Sequence, residues 1–297
     1  VQRAIDTLGN DTCIVLMPGI YEENVTVDAG VHLFGAVSQS GDMPEISAPV
    51  ADTDGTRAVV TLNDDSTLEN IVVSCSTSPT TDSLLSIVNV ESITSGAVIR
   101  NCRIKTAYGY QNHYVDGVTI DSGATLSIGG GSVIENISGE GIVAWQTSNL
   151  MIENTRIGHA SGSSIYTIQS EQFTLNNCVI HHSGSDGLDL TSTSVEIDHC
   201  TVAYFNRAGI KLSGTSEWSL KNTLVYSGGA AATIYSGDIS IETIDRSNLP
   251  NRFSGRDIDP MFLDADNGDF RLHSDSPAIG NGENGSNVGA TGDVLSP

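Results

Sequence analysis

The chain has 297 residues, with 36 Asp and Glu against 13 Lys and Arg, and a formal net charge of −23. So acidic a chain lacks the clustered Lys and Arg that phosphate backbones require, which excludes a nucleic-acid partner, and an anionic membrane repels it. No apolar run reaches the roughly 18 residues of a membrane-spanning helix, so direct membrane insertion is not expected, and no leader peptide is visible after Val1.

In chain order, Val1, Ala4, Ile5 and Leu8 fall at i, i+3, i+4 and i+7. That spacing predicts a short helix. Apolar runs at Ile14 to Met17, Val25 to Val27 and Val31 to Phe34 read as strands. A repeat then emerges. Leu68 to Val73 matches it in part, Ala97 to Ile104 matches it well, and Leu126 to Ile128 followed by three glycines fits with one extra residue. The repeat is most regular in Leu150 to Ile157, Phe173 to Ile180, Val195 to Val202 and Trp218 to Val225, whose starts are 23, 22 and 23 residues apart. From Ile157, Ile180 and Val202 the next apolar residue lies eight positions on each time. Short strands at this period without helical segments exclude a doubly wound α/β fold and fit one solenoid turn per repeat. A single turn cannot bury its apolar face, but stacked turns share one core.

One slot of the repeat holds Asn70, Asn101, Asn154, Asn177 and Asn222, with His199 in one turn. Asparagine tolerates a left-handed bend, and stacked amides can hydrogen-bond along a column. These segments, with Val1 to Asp6 and Pro18 to Val27, resemble the right-handed parallel β-helix proteins of the pectate-lyase-like superfamily. Asp259 to Asp264, Gly268 to Leu272 and Ser276 to Ile279 resemble a tail of secreted or surface-anchored β-helix proteins. The resemblance implies one all-β domain, a right-handed parallel β-helix of about nine or ten turns. Residues 1–10 would be an N-terminal cap, 11–245 the solenoid turns and 246–297 an irregular C-terminal cap. The superfamily includes lyases, hydrolases, epimerases and adhesins, so function must be argued from the site.

Cys13, Cys75, Cys102, Cys178 and Cys200 show no C-x-x-C spacing, so a zinc or thioredoxin-type motif is not expected. Cys178 and Cys200 lie in adjacent turns, where parallel side chains favour free packing thiols over a bridge.

Chemistry on a solenoid sits on its outer faces and in its loops. Alternation places Thr119, Val143, Tyr166, Asp189 and Lys211 outward in successive turns. Asp189 and Lys211 should therefore be neighbours, either as a surface ion pair or as a metal- or substrate-binding carboxylate beside a base. Arg207 lies in the turn before Lys211. His159 and His182 share a slot, followed by Tyr204, and Asp116, Glu140 and Asp186 share another. The turn from Ile104 to Val118 spans fourteen positions instead of eight. Its extra residues fall between Tyr108 and Tyr114 and include Tyr110 and His113. Sugar rings stack on aromatic faces, so these residues with His159, Tyr166 and His182 outline a carbohydrate cleft.

The related lyases use an Arg or Lys base and calcium held by carboxylates, since the carbanion-like intermediate needs electrostatic stabilisation. That resemblance nominates Lys211, Asp189 and Arg207 as catalytic residues. Asp264, Asp266 and Asp269 resemble a calcium loop in composition but lack the spacing and final Glu of an EF-hand. The leading expectation is an extracellular or cell-surface β-solenoid that binds polysaccharide, with lyase-like or epimerase-like activity as a further option. The alternative is a non-catalytic structural or adhesive surface protein, a module of a larger chain or a self-assembled filament.

Overall fold

The computed structural model describes residues 1–9, 11–48, 57–75, 85–91, 95–106, 114–214, 217–226, 234–236, 244–245 and 259–296. Tyr108, Tyr110 and His113 lie outside the described residues. Each turn contributes three strands. The first sheet stacks Thr12–Leu16, Val31–Gly35, Thr67–Glu69, Ala97–Arg100, Thr125–Gly129 and Asn149–Glu153, and continues through Glu217–Lys221 to Ile244–Asp245. The second is a nine-stranded sheet from Ile20–Tyr21 through Arg103–Thr106, Val133–Ile137, Arg156–Ala160, Val179–Ser183 and Thr201–Phe205 to Leu224–Tyr226. The third runs from Val25–Val27 through Val115–Ile120, Ile142–Trp145 and Ile210–Ser213 to Ile234–Ser236. The long strands Ile165–Asn176 and Leu188–Asp198 pass from the third sheet into the first without a break. All of these pairings are parallel, so the expected parallel β-helix is what the chain forms.

Strand alternation explains the core. In Asn149–Glu153, Leu150 and Ile152 are buried while Met151 points out. Leu68, Ile99, Ile128, Ile152, Leu175, Ile197 and Leu220 stack in register, one per turn, each 2% exposed or less. At a strand spacing of about 4.8 Å they form a continuous apolar column, and each buried side chain contributes roughly 1.5–3 kcal/mol.

The bend between the first and second sheets uses left-handed residues. Asn70, Asn101, Asn154, Asn177, His199 and Asn222 all have φ between 44° and 58°. Asn101 Nδ2 donates to Asn70 Oδ1 at 2.7 Å, and Asn177 Nδ2 to Asn154 Oδ1 at 2.8 Å. The column is interrupted by Gly130 and Gly131, and by His199, where Asn222 donates instead to Asp198. The following residue points inward and donates to a nearby carbonyl. Thr155 and Thr223 do so with a hydroxyl, and Cys102, Cys178 and Cys200 with a thiol to the carbonyl two residues back. The three cysteines thus fill a Ser/Thr-like slot, and their thiols form no disulfide. Burial pushes the Cys102 thiol up to about 12.

The N-terminal helix spans Gln2–Leu8 and buries Ile5 completely against the first turn. Leu8, expected on the same face, is 59% exposed at the last position of the helix, before Gly9 with φ 73°. Residues 259–296, within the stretch 246–297 read as an irregular C-terminal cap, pack along the outer side of the second sheet. Phe270, Ala265 and Ala290 cover Val179 and Ala203, while Ala278 and Val288 cover Leu224. Val179, Ala203 and Leu224 are outward positions, so without this cover the sheet would present apolar side chains to water.

Candidate functional site

The tail covers only the upper turns of the second sheet. Lower down, the outward positions become polar, and a cleft of about 540 Å³ opens between sheet and tail. Arg103, Lys105, Glu135 and His159 line it from the sheet, and Asp266 and Asp293 from the tail. Register pairs Lys105 with Glu135, Glu135 with Gly158, and Gly158 with His181.

Gly158 is required by close approach. A Cβ at this position would lie within 2.6 Å of three atoms of the His181 ring. The space it leaves lets His181 reach over Gly158 to Glu135, with Nε2 3.2 Å from Oε1. Arg156 Nε donates to the same oxygen at 2.6 Å. Burial alone would raise the Glu135 carboxyl, but the hydrogen bond from His181 and the Arg156 charge hold it at about 2. Burial lowers His181 to about 4, outweighing its bond to Glu135. The imidazole is therefore neutral, and its Nε2 sits between Glu135 Oε1 at 3.2 Å and Arg156 Nε at 3.1 Å. Arg156 is itself buried, donates to the Gly268 and Ser296 carbonyls at 2.7 and 3.0 Å, and lies 5.5 Å from the Phe270 ring centroid. It locks the tail to the sheet.

Beside this group runs a second left-handed column: Asn136, His159, His182 and Tyr204, with φ from 50° to 59°. His159 stacks on His182 at 4.8 Å and His182 on Tyr204 at 4.9 Å between centroids. Burial is the main cause that lowers His182 and raises Tyr204 to about 12.

The third sheet carries the other expected residues. Thr119, Val143, Tyr166, Asp189 and Lys211 are in register. Lys211 Nζ lies 2.8 Å from Asp189 Oδ2, and that hydrogen bond raises the Lys211 pKa, so the amine is charged near neutrality. This disfavours Lys211 as a base. Arg207 is exposed and 3.9 Å from the buried Asp186. Tyr166 meets the exposed Trp145 edge-on at 6.4 Å. Asp116 and Asp186 each accept a backbone N–H from the next turn at 2.8 Å, and Glu140 accepts from Ser163, so these carboxylates stitch turns together.

The single expected groove is thus divided. His159 lines the second-sheet cleft, whereas Tyr166, Asp189 and Lys211 lie on the third sheet, around the bend that follows Ala160. Tyr114 is 74% exposed at the edge of the long insertion. Asp264, Asp266 and Asp269 do not converge. Asp264 accepts from Asn267 at 2.9 Å, Asp266 lines the cleft, and Asp269 pairs with Arg271. Glu135, Arg156, His181, Arg103 and Lys105 escaped sequence reasoning. The available signal was the register of Glu135, Gly158 and His181 at one outward slot.

Residues 86–249 match the family model described as a right handed beta helix region. The chain belongs to this family. A search of the curated proteins gave no match for this β-helix. Among solved structures it is similar to pectate lyase Pel9A, with TM-score 0.57 and 12% identity over 99% of this chain and 88% of that one. It is also similar to a pectin methylesterase from Aspergillus niger, with TM-score 0.45 and 16% identity over 82% and 92%. A third neighbour is the A-module of the mannuronan C-5 epimerase AlgE6 from Azotobacter vinelandii, with TM-score 0.34 and 11% identity over 84% and 93%. At 12% identity the likeness to Pel9A is one of fold.

Proposed function

We propose that this β-helix is an extracellular or cell-surface protein that binds acidic polysaccharide in the cleft between its second sheet and its tail. The observation that carries this reading is the pairing of Arg103 and Lys105 at the mouth of a cleft of about 540 Å³, beside the exposed ring of His159. Against a net charge of −23, a polyuronate needs cationic partners, and Arg103 and Lys105 supply them in a lining that also holds Glu135, Asp266 and Asp293. The volume falls within the range of small-ligand sites, roughly 300–1,000 Å³. Glu135, Asp266 and Asp293 supply acceptors for sugar hydroxyls.

The reading is binding rather than elimination, because Lys211 is held charged by Asp189. That same pair favours the second reading, a non-catalytic structural or adhesive surface module. A panel of anionic and neutral polysaccharides, with and without calcium, separates these readings. It is read by binding and by the absorbance of unsaturated products. We expect salt-sensitive binding of an acidic glycan that is lost in the Arg103→Ala/Lys105→Ala double variant. Binding unchanged in that variant removes the cleft. No binding across the panel leaves the structural reading.

A further inference from the structure

Among the described residues, one group of three or more His, Cys, Asp or Glu side chains brings its ligand atoms together: His159, His181 and His182, all within 4.8 Å of one another. Stacking explains only part of this group. Tyr204 occupies the slot after His159 and His182 and stacks equally well, so a ring column needs no imidazole. It does not explain His181, whose Nδ1 lies 3.0 Å from His182 Nδ1 while its Nε2 is held by Glu135. A carboxylate on the far nitrogen is how proteins fix the tautomer and aim of a metal-binding histidine.

We infer that His159, His181 and His182 bind one first-row divalent transition-metal ion, for which zinc is the probe. Three imidazoles suit zinc, copper or nickel, whereas calcium takes six to eight oxygens. Tetrahedral Zn–N bonds of about 2.0–2.1 Å place nitrogens roughly 3.3 Å apart, close to the His181–His182 spacing. His159 is exposed, and its ring is free to move inward from the present spread of up to 4.8 Å. On binding, each imidazole carries its proton on Nε2, and the contact between His181 Nδ1 and His182 Nδ1 is exchanged for two Nδ1–metal bonds. Of the three, His159 lines the cleft, where Asp266 is the carboxylate whose charge reaches His182.

The test is calorimetric titration of the full chain, free of any histidine tag, with Zn²⁺ and no glycan present. Its outcome is therefore independent of the polysaccharide reading. We expect one equivalent per chain. Affinity should fall at least tenfold in His159→Ala and in His182→Ala, fall 10–100-fold in Glu135→Gln, and stay unchanged in His199→Ala and His273→Ala. The unaltered protein loaded with Cu²⁺ should show superhyperfine structure from three imidazole nitrogens by electron paramagnetic resonance. No saturable equivalent, undiminished affinity in His159→Ala or His182→Ala, or a Cu²⁺ spectrum from oxygen ligands alone overturns the assignment.

Discussion

Replacing Gly158 by alanine adds one methyl group at the centre of the second-sheet site. The methyl would lie within 2.6 Å of three His181 ring atoms, where carbon contacts settle at about 3.5–4.0 Å. The ring must therefore retreat by about 1 Å. It is completely buried, with the rings of Phe270, His159 and His182 at 4.9, 5.0 and 5.2 Å, so the strain is shared by the tail. Overpacking of this kind costs about 1–3 kcal/mol. Losing the hydrogen bond to the Glu135 carboxylate adds about 1.5–3 kcal/mol. We expect a total destabilisation of roughly 3–5 kcal/mol in urea unfolding. Because the cost arises from a single neighbour, the same methyl in a His181→Ala background should cost less than about 1 kcal/mol. A Gly158→Ala variant within about 0.5 kcal/mol of the parent refutes the argument, and so does a full cost that persists without the His181 ring.

Three further outcomes are expected. Burial raises Asp116 to about 6 and Glu140 to about 7. The folded chain therefore holds protons that the unfolded chain has released, so their stabilising contribution is full below pH 4 and is lost as pH rises to about 7. At about 1.4 kcal/mol per pH unit, Asp116 accounts for at most roughly 3 kcal/mol, and an Asp116→Asn variant should flatten this fall in urea titrations across that window. Lys211→Ala removes a partly exposed pair and should cost less than about 1 kcal/mol in thermal unfolding, with glycan binding unchanged; a loss of binding would return Lys211 to the site. In native alkylation, only the exposed Cys13 should react, since the other four thiols are buried; prompt labelling of Cys178 or Cys200 would contradict the packing.

Much of the fold was legible along the chain because a solenoid turns long-range packing into local periodicity. The spacing of Leu150, Phe173, Val195 and Trp218 is the turn itself. The recurring asparagines mark where the backbone goes left-handed, and alternation placed Asp189 opposite Lys211. The residues 1–10 read as a cap hold a helix on the first turn, although Leu8 faces solvent. The tail was legible as a resemblance in its segments, not as a partner of the second sheet. Its docking depends on outward Val179, Ala203 and Leu224, which belong to different turns and have no shared sequence neighbourhood.

The sequence by itself determined the repeat, the bends, the inward column and the register that aligns His159 with His182. All of these follow from side-chain period and backbone sterics acting over a few residues. Only the tertiary structure decided where a cleft exists and what faces it. Lys105, Glu135, Gly158 and His181 come into one line because four turns stack. Arg156 reaches a tail more than a hundred residues away, and the bend after Ala160 puts Tyr166 and Lys211 on another face. Such contacts depend on the space that Gly158 leaves empty and on the surface that Phe270 fills, and neither is expressed in the period of the chain.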